Sequence, residues 1–272
     1  MSLFVKYDSI RRHALSVSHL VQPGVVLTQE TSDKNLYHRS QTKSYRFRVN
    51  SQVIPPDINR ITVFLDDNMP TINTLAFLMT RGVALPGFKL QDASGNNLSV
   101  SNINQYIFKR YYNDLTFHSY LFTFDSLSGV RRVVFEFPLT STNPQTVYEI
   151  GTVYAGKRLE SEIHPKSMKI SFGAQGSKQR TRGGQISADK NNSYMNLDFK
   201  AVAKPLSFVS ENYFDLNYQA SVSEPIIFIP ELKKDVLLYG TQKKPCEANC
   251  VEAKNSDQEW YYETKFSLEE EF

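Results

Sequence analysis

From residue 44 to 156 the dominant period of apolar positions is two. In SYRFRVN (44–50), Tyr45, Phe47 and Val49 share one face, and Arg46 and Arg48 take the other. This is the pattern of a half-buried strand. NRITVFLD repeats it with Ile61, Val63 and Leu65 against Thr62 and Phe64. TINTLAFL, GFKLQD, NQYIFKRYY, LTFHSYLFTFD, GVRRVVFEFP and TVYEIGTVYAG continue the series, with turn clusters such as ASGNN between them. In LTFHSYLFTFD the apolar residues Phe117, Leu121 and Phe124 fall on mixed parities, which predicts a bulge or burial on both faces. No ten-residue helical stripe interrupts the run, and recurring short strands of this kind make a β-sandwich.

Near Lys157 the texture changes to KRLESEIHPK, and a domain junction is expected there. SMKISFGAQ and SYMNLDFKAVAK then read as a long antiparallel hairpin with the basic segment GSKQRTRGGQ at or near its tip. In PLSFVSENYFDLNYQA, Phe208, Val209, Asn212, Tyr213 and Leu216 recur at helical spacing behind Pro205 and Ser207, so one helix is predicted near 206–220. EPIIFIPEL is a short strand bracketed by prolines, which suits an edge or isolated pairing. DVLLYGT is another strand. A last one is expected in QEWYYETKFSLEEEF, with Trp260, Tyr262, Thr264, Phe266 and Leu268 on one face and a solvated Glu run after it. The expected fold is mainly β. A jelly-roll-like sandwich (44–157) is followed by a smaller β-rich domain with one helix (158–272). A less regular segment (1–43) is expected to wrap the sandwich or reach a neighbouring subunit.

Composition supports a folded chain without pointing to a partner. Of 272 residues, 40% are hydrophobic and 12% aromatic, which excludes wholesale disorder. The 31 basic and 28 acidic residues nearly cancel, so no global field draws the chain onto nucleic acid or an anionic membrane. No stretch is long and apolar enough to span a bilayer, and the N-terminus does not read as a secretory signal. Cys246 and Cys250, in PCEANCVE, are expected as two thiols in a surface loop, ahead of a local disulfide and well ahead of a metal site.

Motifs for chemistry are missing. There is no nucleophile elbow, HExxH or Walker-type loop, and no cofactor is expected. None of His13, His19, His38, His118 and His164 pairs at ligand spacing; His13 and His19 are expected in solvent or at an interface, and His118 as an outward strand residue. Asp66-Asp67 suits a strand-ending turn better than a calcium site. Glu149, among apolar neighbours in YEIG, is expected to be buried and paired with an arginine in a structural role. Lys178, Arg180 and Arg182 sit among glycines with no aromatic residue to stack a base. Contact between subunits and a plain solvated loop rank equally for them, and nucleic-acid binding ranks lower.

An ordered set of segments carries a family resemblance: YEIGTVYAG, SKQRTRGGQISADKNNSYMNLDF, the aromatic helix, EPIIFIPEL and WYYETKFSLEEEF. Over roughly the last 125 residues the chain resembles distal-tail or minor tail-tip proteins of long-tailed bacteriophages. The insert GTQKKPCEANCVEAKNSDQ departs from that family's shorter connection. INRITVFLDDNMPTINTLAFLM and VRRVVFEFP with YEIGTVYAG resemble a galactose-binding-like, discoidin-type jelly roll. The resemblance implies a structural virion component without enzymatic activity, made in the host cytoplasm and located at the tail tip. Its implied partners are copies of itself in a ring and the tube and hub proteins, with no nucleic acid and no membrane insertion. The alternative implied by the jelly roll is a carbohydrate-binding module that attaches to host glycan. Such a module would expose aromatics at one end of the sandwich. Tyr106, Tyr111 and Tyr112 are the candidates, and they are equally ordinary strand residues.

Overall fold

The structure is a computed structural model. It describes residues 2–270 except 7–8, 21–24, 38–42, 52–58, 84–85, 113–114, 138–146, 164–166, 175–177, 181–185, 189–192, 221–223, 232–235 and 254–259. The chain is mainly β and divides into two compact units. One is built mainly from Val5–Arg158, and the other from Met1–Phe4, Leu159–Glu231 and Leu237–Phe272.

The strands up to that division are β1 (Ser2–Lys6), β2 (Ala14–Leu20), β3 (Val25–Gln29), β4 (Tyr45–Ser51), β5 (Asn59–Leu65), β6 (Ile72–Thr80), β7 (Gly87–Gln91), β8 (Asn104–Tyr112), β9 (Leu115–Leu127), β10 (Arg132–Phe137), β11 (Val147–Ile150) and β12 (Thr152–Ser161). A short helix, α1 (Ser9–His13), precedes β2. The first 43 residues, expected to be irregular, therefore contribute three strands. Two sheets form the sandwich. One runs β2-β5-β10-β7, and in the other β12, β6, β9 and β8 are successive neighbours. The chain passes between the sheets at most connections from β5 to β12, as a jelly roll does. β3, β4 and β11 form a smaller sheet beside them.

The alternation read in the sequence is what fills this core. Ile61, Val63 and Leu65 are buried while Thr62 and Phe64 are half-buried, and Tyr45 and Phe47 are buried while Arg46 is exposed. Phe77 of β6 meets Phe135 of β10 edge-on at 4.6 Å between ring centroids, and Phe88 of β7 meets Phe122 of β9 at 5.0 Å. β9 is buried on both faces, and its register with β6 shifts between Ile72 and Thr74 and again between Phe77 and Thr80, as mixed parity predicts. TVYEIGTVYAG is two strands rather than one. β11 pairs with β4 and β12 with β6. Between them Gly151 donates its N–H to the carbonyls of Leu78 and Met79 at 3.0 and 3.2 Å, so the chain changes sheet at that residue.

The second unit contains β13 (Lys169–Ala174), β14 (Lys178–Arg180), β15 (Ile186–Ala188), β16 (Ser193–Pro205), β17 (Ile226–Ile229), β18 (Leu238–Gln242), β19 (Glu247–Ala253) and β20 (Trp260–Glu270). β13 and β16 make the expected hairpin, with Lys169 opposite Asp198 and Ala174 opposite Ser193. β20 pairs with β16 on one side and with β18 and β19 on the other. Its Thr264, Phe266 and Leu268 are buried, as the alternation predicts. Glu270 continues that parity and is buried too, 5% exposed, rather than solvated. One carboxylate oxygen accepts the Met195 N–H at 2.9 Å.

The predicted helix runs through Leu206–Phe208, a π-helical stretch Val209–Phe214, and Asp215–Ala220. It lays Val209, Tyr213 and Leu216 over a cluster of Phe4, Phe199, Phe228 and Phe266. Phe199 stacks on Phe228 at 4.4 Å and on Phe266 at 5.2 Å, and Tyr213 meets Phe266 edge-on at 5.2 Å. β17 is not an isolated edge. All four of its residues are buried, it pairs with β18, and β1 lies on its other side. Pro225 and Pro230 fall just outside its ends, so neither removes an N–H from the ladder.

Candidate functional site

Glu149 is buried, 6% exposed, with its partners drawn from two other segments of the sandwich unit. Arg46 Nε and Nη2 donate to Glu149 Oε1 at 3.2 and 3.1 Å, and Arg81 Nε lies 3.5 Å from Oε2. The Ser44 hydroxyl donates to Oε1 as well. Main-chain pairing delivers these groups. Glu149 sits opposite Arg46 in the β4–β11 ladder and exchanges N–H···O bonds with Arg81 at 2.8 and 2.9 Å. A buried carboxylate needs such compensation. The arrangement ties strands together and uses its acceptors on internal donors, which makes it the structural pair expected from the sequence.

Asp66-Asp67 forms a turn. Asp66 Oδ1 accepts the Asn68 N–H at 2.8 Å, and Arg131 Nε reaches Asp67 Oδ1 at 3.0 Å. His13 is not simply solvated, since its Nδ1 lies 2.9 Å from Asp66 Oδ1. His19 is half-buried and stacks on Tyr45 at 5.5 Å. His118 is half-buried beside Tyr120. His38 and His164 lie outside the described residues. Among the described residues no group of three or more His, Cys, Asp or Glu is placed to hold a metal ion. No helix among them is long and apolar enough to cross a membrane.

The cysteines are not a pair of loop thiols. Cys250 is exposed on β19, opposite Tyr262, while Cys246 is buried and both are free. Asn217 on the helix clamps Cys246: its Oδ1 accepts the Cys246 N–H at 3.0 Å, and its Nδ2 lies 2.8 Å from Sγ. Burial pushes the Cys246 thiol up to about 11, against the opposing Asn217 hydrogen bond. It is therefore protonated and unreactive at neutral pH.

The basic segment is partly a strand pair. Lys178 lies opposite Ala188 and Arg180 opposite Ile186 in the two-stranded ribbon β14–β15. Arg182 lies outside the described residues. Tyr106, the first tyrosine of the glycan reading, is half-buried in β8 opposite Leu121. Tyr111 and Tyr112 pair with Thr116 and Leu115 in the same ladder.

The surface feature that sequence reasoning missed is on β13. This strand pairs only with β16 among the described strands, which leaves it at a sheet edge. Its Ile170 is 40% exposed and its Phe172 is 74% exposed. Ile170 stands opposite Leu197 and Phe172 opposite Met195, so both lie on the face whose Leu197, Phe199 and Ala201 form the core. The apolar side of the sheet thus continues past the part that the helix covers. The alternation in MKISF shows the apolar face, but not that its cover ends one strand earlier. β8 is a second edge, in the sandwich unit, and carries Ile107 44% exposed.

Comparison with models of protein families, with curated proteins and with solved structures gave no match to this chain.

Proposed function

We propose that this chain is a structural subunit of a bacteriophage tail tip, which assembles with its own copies into a ring joining the tail tube to the hub or receptor-binding apparatus. The tail assignment rests on the ordered segments of the sequence resemblance. The observation that carries self-assembly is the uncovered core face of β13, with Ile170 and Phe172 beside a free strand edge. An exposed apolar edge invites pairing and is normally blunted by charge, proline or a covering element. Here a second copy supplies the cover. Its strand or loop extends the sheet through main-chain hydrogen bonds and buries Phe172. A head-to-tail contact of this kind repeats from copy to copy and closes into a ring when the rotation allows. Lys178, Arg180 and Arg182 are assigned to the same contacts between subunits, where weak individual bonds add up across a multivalent ring.

The test is the molar mass of the purified full chain across concentration, by sedimentation or light scattering. Multiples of 31.2 kDa are expected, with ring-shaped particles by electron microscopy. Phe172→Ser is expected to shift the distribution toward monomer by at least about tenfold in dissociation constant, since a buried aromatic anchor contributes 2 kcal/mol or more to an interface. A parent protein that stays monomeric at high concentration, or an assembly indifferent to Phe172→Ser, refutes the proposal.

A further inference from the structure

By its contacts, Met1–Phe4 belongs with Leu159–Glu231 and Leu237–Phe272, whereas Val5–Arg158 builds the sandwich unit. The segment is therefore tied covalently to the rest of its own unit only through the whole sandwich sequence. β1 is an interior strand, with β17 and β12 as its neighbours in the sheet. Ser2, Leu3 and Phe4 are all fully buried. Ser2 Oγ donates to the Ser161 carbonyl at 2.9 Å, at the end of β12 that belongs to the same unit. Ser2 and Phe4 share one face by the alternation of a strand. The Phe4 ring lies 4.6 Å from Phe228, 5.1 Å from Phe266, 5.9 Å from Phe199 and 6.5 Å from Tyr213. Among the described residues of that buried cluster, Phe4 alone precedes Leu159 in the sequence.

Without this segment the unit has a strand-shaped slot. β17 and the end of β12 would each carry a row of unpaired main-chain groups, which is costly in a buried place. The aromatic cluster would have a hole the size of a phenylalanine ring. Hydrogen bonds and side-chain burial hold the occupant, and the long covalent connection adds only effective concentration. A separate extended segment can make the same contacts, as in the addition of a strand to an open sheet. We infer that the slot is a binding site for an extended peptide, and that a second copy of the chain is the partner that presents one. The contacts set the pattern of the ligand: a small hydroxyl residue facing the Ser161 carbonyl and, two positions later, a phenylalanine among four aromatic rings. Exchange of an identical element between copies preserves every contact and is a low-cost link. The inference does not rest on the β13 contact and adds a second way for copies to join.

The experiment weakens the chain's own strand and offers the segment separately. Full-length chains carrying Phe4→Ala, or the milder Phe4→Leu, are titrated with a fluorescent synthetic peptide of residues 1–8, MSLFVKYD, which stands for the segment of a second copy. The peptide is expected to bind both variants at least about tenfold more tightly than the parent, whose own β1 competes for the slot. It should raise their melting temperatures by mass action and restore amide protection in β16 and β17. The same peptide carrying Phe4→Ala should bind at least about tenfold more weakly, because the aromatic anchor is gone. Repeating the titration with Phe172→Ser added to each chain separates the two readings, since the slot should take the peptide whether or not β13 joins the copies. Equal binding to parent and variants, or equal binding of the altered peptide, overturns the inference. So does a variant that folds and ignores the peptide, or one that fails to fold and is not restored by it.

Discussion

The two units bury their apolar surface in different ways. In the sandwich unit two sheets face each other, so each sheet covers the other. Phe77 against Phe135 and Phe88 against Phe122 are contacts of this kind, and the Glu149 cluster ties down the adjoining small sheet. In the other unit one sheet is covered by the helix of residues 206–220, which is narrower than the sheet. The cover suffices over Phe199, Phe228 and Phe266 and is gone at Ile170 and Phe172. A sheet needs a second layer of matching width to be self-sufficient. The unit that lacks one holds the surface from which self-assembly is proposed.

The contrast is broken most severely by emptying the narrow core. Phe266 is 1% exposed and touches the rings of Phe4, Phe199 and Tyr213 at 5.1, 5.2 and 5.2 Å. Phe266→Ala removes the centre of that cluster, at a cost of about 3–5 kcal/mol. Amide exchange should show β16, β18 and the helix losing protection, while β5, β6 and β10 keep theirs. Phe135→Ala makes the same deletion in the sandwich and should give the opposite pattern. Equal loss of protection in both units from either substitution would mean that they do not hold separate cores.

The next effect in size comes from the Glu149 cluster. Glu149→Gln keeps the shape but leaves Arg46 and Arg81 without their counter-charge. The arginine side chains are 47% and 32% exposed, so water takes part of the loss. A destabilisation of about 1–3 kcal/mol is expected, measured by denaturant unfolding. Within the sandwich unit, β4 and β11 should open first under native-state exchange. A neutral result would show that the pair is not what closes this sheet.

What the sequence disclosed follows the same division between local and distant causes. The alternation of Tyr45, Phe47, Ile61, Val63 and Leu65, the β13–β16 hairpin, the helix at 206–220 and the face of β20 all express periods visible within a few residues. Glu149 was legible because an acid flanked by Tyr148 and Ile150 must find cations once it is buried. What remained hidden depends on contacts far apart in the chain. Phe4 reaches the rings of Phe228 and Phe266, and nothing in SLFVK announces it. The prolines beside Ile226–Ile229 suggested an edge, yet the strand lies in the sheet interior because both prolines fall outside the ladder. Cys246 is buried by Asn217, and His13 is positioned by Asp66. The end of the cover at β13 depends on the width of a helix relative to a sheet, which no local pattern encodes.

The smallest effect separates the units by pH. Burial pushes the pKa of His19 below its ordinary value of 6.5, and the charge of Asp33 opposes this more weakly. Tyr45 Oη lies 3.2 Å from Nε2, and the rings stack. Because the folded pKa is the lower one, the unfolded chain binds the proton first as pH falls. The contribution of the neutral ring to stability is therefore fully present above pH 6.5 and is lost as pH falls through the folded value. His19→Gln should remove that part of the pH slope and leave stability at pH 8 little changed. His19 belongs to the sandwich unit. The slope just below pH 6.5 should therefore appear in the amides of β2, β4 and β5 and be weak in β16 and β20. Urea titrations of parent and His19→Gln at a series of pH values, with amide exchange at the two ends, measure both parts. An unchanged slope in His19→Gln would show that the stacked ring is free to protonate in place. A slope of equal size in β20 would show that stability is shared between the units rather than held in each.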